Sequence, residues 1–210
     1  RLVTARGHAM QAQPAGAMLA VRATESDLDL PACLDLAAIN APQACVVSGS
    51  TDAILDYEAA CATRGLGTKR LRTSHAFHSR LMDGALADFR RAFDPVTLHP
   101  PRRRVVSNVT GTDLTAAEAT SPDYWVRHLR SPVRFAEGVS KLKTHHFLLE
   151  VGPAHTLTHL ARQAGATAVA SLPRPNDPNP DESASLLRAL GELWTLGAPI
   201  DWTAVFPDGT

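Results

Sequence analysis

Between Ala17 and Thr73 the apolar residues fall into short runs of differing period, and their order leaves few folds open. Ala17-Met18-Leu19-Ala20-Val21 has the pattern of a buried strand, and Leu34 to Asn40 that of a second. Ala41-Pro42-Gln43 turns it into a third, Ala44-Cys45-Val46-Val47-Ser48, as a hairpin. Ser50 or Thr51 can cap a helix whose apolar face is Ile54, Leu55, Ala59 and Ala60, stopped by Gly65 and Gly67, and Thr68 to Thr73 forms a fourth strand. Only a short polar segment, with Thr24 or Ser26 as its cap, separates the first two strands. Strand, short helix, hairpin, helix, strand is a ferredoxin-like unit in outline. A unit of about sixty residues is small for independent stability, so it should act as a lid on something larger.

The flanking sequence supplies the larger part. Residues 1–13 are helical in pattern until Pro14 and Gly16 stop them. Leu81, Ala85, Leu86, Phe89 and Phe93 make residues 80–93 an amphipathic helix that ends at Pro95. Val105 to Val109 reads as a strand turned by Thr110-Gly111. Ser121-Pro122 and Ser131-Pro132 each place a cap before a proline at the first helical position. Phe147 to Val151 is nearly all apolar, as a strand covered on both faces must be, and a helix around Leu157, Leu160 and Ala161 leads to a last strand, Ala168 to Leu172. Pro173 to Pro180 has the composition of an exposed linker. Beyond it, Leu186, Leu187, Leu190, Leu193 and Trp194 stripe one helix, and Trp202 and Phe206 follow in an extended tail that needs a surface to pack on.

Composition excludes several function classes. Lys plus Arg equals Asp plus Glu at 21 each, so no basic footprint for nucleic acid or an anionic membrane exists, and Pro100-Pro101-Arg102-Arg103-Arg104 reads as a solvated turn. No apolar run approaches a membrane span. Cys33, Cys45 and Cys61 match no zinc or redox spacing, which makes a reduced, cytoplasmic compartment the expectation.

The chemistry concentrates in Ser74-His75-Ala76-Phe77-His78-Ser79, where a strand gives way to a helix. That junction is where α/β enzymes hold reactive side chains on a rigid base. His78 is the candidate general base, since histidine alone titrates near neutral pH when unperturbed. The plainer alternative is that both histidines finish a strand and bond to backbone. A metal hydrolase built from His75 and His78 with His145 or His146 is a further alternative, although the spacing fits no helical zinc signature.

Six ordered blocks carry a resemblance: Arg6-Gly7-His8-Ala9-Met10, Pro14-Ala15-Gly16-Ala17-Met18, Asn40-Ala41-Pro42 with Val46-Val47-Ser48-Gly49, His75-Ala76-Phe77-His78-Ser79, Trp125 to Arg130, and Leu149-Glu150-Val151-Gly152-Pro153. Together they resemble the acyltransferase domains of modular type I polyketide synthases, relatives of malonyl-CoA:acyl-carrier-protein transacylases. The resemblance implies part of an α/β-hydrolase-like large subdomain with an inserted ferredoxin-like small subdomain. It divides the chain into 1–14 (large subdomain), 15–74 (small subdomain), 75–172 (large subdomain) and 173–210, a linker that packs toward the ketosynthase.

The implied activity is ping-pong transfer of an extender unit, from CoA to the phosphopantetheine arm of an acyl carrier protein, through a serine ester. No permanently bound cofactor and no metal are implied. His78 matches the family histidine, and the main-chain carbonyl at His128 is its implied orienting partner. Arg6 matches the arginine that pairs with the extender's free carboxylate. His75 and Phe77 match the selectivity positions, where His-Ala-Phe-His accompanies malonyl units and Tyr-Ala-Ser-His methylmalonyl units. Asn40 is a weaker candidate for lining the acyl path. One departure is an absence, since no Gly-x-Ser-x-Gly elbow occurs in the sequence. In the family that elbow falls ahead of the position of Arg1, so the sequence resembles the C-terminal portion of the domain, inactive by itself. The alternative is a non-catalytic docking piece of the same synthase. A second departure is the short segment from Thr24 to Leu34, which trims the small subdomain's first helix.

Overall fold

Three apolar runs and the polar Thr68–Arg70 segment pair in the arrangement the first pattern predicts. In a computed structural model that describes residues 1–144 and 147–207, β1 (Ala17–Val21), β2 (Asp35–Ala41), β3 (Ala44–Gly49) and β4 (Thr68–Arg70) form one antiparallel sheet in the order β2-β3-β1-β4. That order, with a crossover between β1 and β2 and another between β3 and β4, is the ferredoxin-like arrangement. The first crossover holds only a turn of 3₁₀ helix, Glu25–Asp27.

The second crossover is α2 (Thr51–Thr63), capped by Ser50 Oγ accepting from the Ala53 N–H at 3.3 Å. Its buried face is Ile54, Tyr57 and Cys61, whereas Leu55 is 41% exposed. The aliphatic face expected from sequence is therefore rotated, because Tyr57 turns inward and donates its hydroxyl to the Leu28 carbonyl. The sheet and α2 enclose a core of Leu19, Val21, Val47, Ile54 and their neighbours.

The second layer of this part of the chain is helical. It comprises α1 (Leu2–Gln11), a 3₁₀ turn over Arg80–Ala85 that runs into α3 (Leu86–Arg91), α4 (Ala116–Ala119) and α5 (Pro122–Arg130). The single helix expected over 80–93 is split because Ser79 Oγ caps Leu81 N at 3.2 Å and starts a tighter 3₁₀ turn. Ala9, Met82, Ala85, Phe89, Phe93 and Leu129 form its core. Val105–Val109 is not a strand. Ser107 Oγ accepts from the Val109 and Thr110 N–H groups and bends the chain, leaving one bridge, Val106 to Asp113. Ser131-Pro132 does not start a helix either. The proline holds Ser131 extended (φ −72°, ψ 154°), Val133 pairs with β2, and α6 begins only at Phe135 (Phe135–Leu142).

The chain divides into two compact units, Arg1–Gly138 and Val139–Thr210. In the second, β5 (Leu148–Glu150) and β6 (Ala168–Ala170) pair in parallel around α7 (Thr156–Gln163). Contrary to the expectation of cover on both faces, Leu149 is 43% and Val151 83% exposed. The helix after the linker, α8 (Glu182–Thr195), finds its surface within this unit: Ala189 and Leu193 cluster with Val169 of β6. The tail is not extended, since Trp202–Val205 forms the short helix α9.

Candidate active site

The stretch from Ser74 to Ser79 follows β4 and precedes the 3₁₀ turn, at the seam between sheet and helices. Gly16 makes the approach possible. A Cβ there would lie 2.8 Å from the Ala76 Cβ and 2.8 Å from the Gly49 carbonyl, so only glycine lets β1 run this close to the histidine loop.

His75 is buried, and both ring nitrogens are engaged. Nε2 bonds to the Gln13 carbonyl at 3.1 Å and Nδ1 to Ser74 Oγ at 2.8 Å. A carbonyl accepts only, so Nε2 carries the proton and Nδ1 accepts from the hydroxyl. Neither nitrogen is left for a metal, which removes His75 from the zinc alternative, while His145 and His146 lie outside the described residues. Among the described residues no group of three or more His, Cys, Asp or Glu is disposed around a cation. Phe77 lies between two cores, packing on Met18, Ala37, Ala38 and Val46 from the sheet side and on the Met82–Phe89 group from the helical side. Its ring stacks loosely on His75, centroid to centroid 6.0 Å.

His78 is arranged differently. Its backbone is left-handed, φ +58°, and Nδ1 lies 2.8 Å from the Ser131 carbonyl. That contact fixes the tautomer with the proton on Nδ1 and leaves Nε2 unprotonated, a free acceptor. Burial pushes the His78 pKa down to about 4, against the opposing Ser131 bond and with the charges of Arg6, His128 and Arg130 adding to the fall. His78 is thus neutral at physiological pH.

The orienting carbonyl is not that of His128. His128 lies inside α5, where peptide carbonyls run along the helix axis, whereas Ser131 is the extended residue just past the helix and turns its carbonyl sideways to the imidazole. The sequence signal was present: the residue before a proline is driven out of helical geometry, and Ser131 precedes Pro132. The His128 side chain is nonetheless close, its ring 6.0 Å from Trp125 and its pKa lowered by burial and then by Arg6.

Arg6, on α1, is half-buried, and burial pulls its pKa below the ordinary guanidinium value. No carboxylate of the described residues pairs with it, so a buried-side cation faces His78 and His128 without a counter-charge. Such a position favours an anionic guest. Asn40 is not joined to this group: it lies at the hairpin end of β2, and no hydrogen bond or ring contact among the described residues links it to His78.

The acyl transferase domain model matches residues 1–192. The chain belongs to the acyl transferase domain family. Spectinabilin polyketide synthase system protein NorB of Streptomyces orinoci is 42% identical over 98% of this chain, which spans 10% of that protein. Polyketide synthase GfsB of Streptomyces halstedii is 41% identical over 98% of the chain, which spans 4% of its length. Among solved structures, the acyltransferase domain from the second module of the salinomycin polyketide synthase matches with a TM-score of 0.88 and 37% identity, covering 99% of this chain and 50% of that one. The malonyl CoA-acyl carrier protein transacylase of Clostridium perfringens shares the fold, with a TM-score of 0.78 at 21% identity. The chain thus shares the fold of these neighbours, a ferredoxin-like subdomain, seen in its four-stranded sheet, together with part of an α/β-hydrolase-like one.

Proposed function

We propose that this chain carries the general base and the extender-recognition elements of a polyketide synthase acyltransferase that moves a malonyl unit from CoA to the phosphopantetheine thiol of an acyl carrier protein. The observation that carries the reading is the His78 imidazole, with Nδ1 bound to a carbonyl and Nε2 free beside an unpaired Arg6. In the first half-reaction Nε2 takes the proton of a serine hydroxyl as its oxygen attacks the thioester carbonyl. The C–S bond breaks, and the CoA sulfur leaves with the proton that His78 returns. In the second half-reaction Nε2 takes the proton of the carrier thiol, the sulfur attacks the serine ester, and serine leaves reprotonated. Arg6 holds the extender's free carboxylate throughout.

The chain spans about half the length of the solved acyltransferase domain it matches, and no Gly-x-Ser-x-Gly occurs in it, so the reading assigns the nucleophile to the other half. Within the chain it assigns residues 15–74 to the small subdomain, 1–14 and 75–172 to the large one, and 173–210 to a linker that meets a neighbouring ketosynthase. The compartment it implies is the cytoplasm. Among the described residues no helix is long and apolar enough to cross a membrane.

In this reading Phe77 and His75 set the malonyl preference, because a bulky ring in place of a serine takes up the room an α-methyl branch would need. His75→Tyr with Phe77→Ser should raise the methylmalonyl-to-malonyl ratio about 10- to 200-fold, the worth of one methyl in a pocket. An unchanged ratio in a competition assay places selectivity elsewhere.

The test of the whole reading is intact-protein mass spectrometry after incubation with malonyl-CoA. The chain alone should gain no malonyl adduct, the complete domain should gain one, and His78→Ala in that domain should gain none. A normally acylated His78→Ala domain refutes the base assignment. A docking role without catalysis is favoured by one observation, the exposed outer face of α8 with Leu186, Leu187 and Trp194, and an adduct on the complete domain excludes it as the sole function.

A further inference from the structure

His78 holds a backbone conformation that non-glycine residues adopt rarely, and its ring must still meet one particular carbonyl. Something outside the loop must fix both. The His78 carbonyl accepts from Arg130 Nη1 at 3.4 Å. Arg130 is the last residue of α5, next to Ser131, whose carbonyl receives Nδ1. The guanidinium is itself held on two sides: Nη2 donates to Asp35 Oδ1 at 3.1 Å and Nε to Asp83 Oδ1 at 2.7 Å.

Asp35, the first residue of β2, also accepts from the backbone N–H and the Nε of Arg80 at 2.9 Å each, two residues beyond His78. Its side chain is 14% exposed. Burial raises its pKa, but the Arg80 bonds and the Arg130 charge outweigh this and keep it ionised. The same strand grips the acceptor side. Val133 N–H donates to the Ala37 carbonyl at 2.9 Å and Ile39 N–H to the Val133 carbonyl at 2.8 Å, fixing the segment that carries Ser131.

We propose that Arg130, anchored by Asp35, is a positioning residue that locks the left-handed His78 backbone so that Nδ1 stays on the Ser131 carbonyl and Nε2 stays the free acceptor. The small subdomain's β2 thereby sets both ends of the contact that makes His78 a base. A planar fork with several fixed donors suits this task, and an ammonium does not. The proposal rests on the reading of His78 as the base, and its tests separate the two.

Nitrogen NMR of ¹⁵N-histidine-labelled chain, with His78 assigned by its loss in His78→Ala, should show the Nδ1–H tautomer in the wild type. Arg130→Gln and Asp35→Asn should each convert His78 to a mixture of tautomers, and Arg130→Lys should fall between. Arg127→Gln, on the exposed face of the same helix, should leave the tautomer unchanged. If Arg130→Gln does not fold, Asp83→Asn removes one anchor at a largely exposed site and should shift the tautomer in the same direction.

In the complete acyltransferase domain, Arg130→Gln should lower the acylation rate about 10- to 100-fold with KM changed less than about twofold, as expected when a reacting group is displaced but binding is intact. A wild-type chain without the Nδ1–H tautomer overturns the proposal. So does Arg130→Gln with the wild-type tautomer, or with a shifted tautomer and undiminished acylation. Normal transfer by His78→Ala instead overturns the base assignment, whatever the tautomer shows.

Discussion

At the residue scale, His78 couples stability to pH. Its pKa, pulled from 6.5 to about 4, means that the folded chain binds this proton less readily than the unfolded chain does. Stability is therefore complete above about pH 6.5 and falls as the pH drops towards 4. The loss attributable to this group is about 3 kcal/mol. Urea unfolding between pH 7 and pH 4 should show that decline, and His78→Gln, which cannot titrate, should remove this part of it. In the proposed role of His78 as base, the same shift keeps Nε2 unprotonated, so the acid limb of kcat/KM of the complete domain should lie near pH 4 rather than near 6.5. Arg6 makes a separate claim. A charge-assisted bond to a carboxylate is worth about 1.5–3 kcal/mol, so, in its proposed role, Arg6→Ala in the complete domain should slow malonyl transfer by about 10- to 150-fold. A substrate analogue without the free carboxylate should be indifferent to that change in the same kinetic assay.

At the scale of elements, the sheet and the histidine loop meet where there is no spare volume. Gly16, just before β1, faces Ala76 and the Gly49 carbonyl at distances that a Cβ could not hold without displacing backbone. Gly16→Ala should destabilise the chain by about 1–3 kcal/mol through overpacking, read as a lower urea midpoint at unchanged slope. Because the displaced segment includes Ala76, the His78 tautomer should loosen in the same variant. Gly65 differs in kind: a Cβ there would meet nothing within 4 Å, and its φ of +70° serves only to end α2 in left-handed backbone.

At the scale of the whole molecule, residues 174–183 of the Val139–Thr210 unit are uniformly exposed, while Ala189 and Leu193 of α8 are buried against Val169. The chain should therefore be cut first in this segment by a protease that cleaves before aspartate, at Asp177 or Asp181. The piece bearing α8 should stay bound after the cut and co-elute on a sizing column until denaturant is added. Beyond α8, Trp202 stacks on Phe206 at an interplanar angle of 15° and meets Trp194 edge-on, leaving Trp194 58% exposed. That is an apolar face of the kind that neighbouring parts of a multidomain protein cover.

The order of the four strands, the place of α2 and the location of His78 were legible in the sequence because periodicity and turn residues act over a few neighbouring positions. The six blocks likewise nominated Arg6, His75 and Phe77, and the structure places Phe77 between two cores and Arg6 half-buried on α1. Local pattern misleads at Val105–Val109, where a buried serine hydroxyl bends the chain out of a strand, and in the rotation of α2, where a tyrosine points inward to a carbonyl 29 residues away. The partner of His78 lies 53 residues along the chain and Asp35 lies 95 from Arg130, so no local pattern links them. Local sequence determined which side chains could act as base and as carboxylate receptor. Only the pairing of Val133 with β2 and the Asp35–Arg130 contact decided which carbonyl meets the His78 ring, because direction and distance between remote segments arise from packing alone.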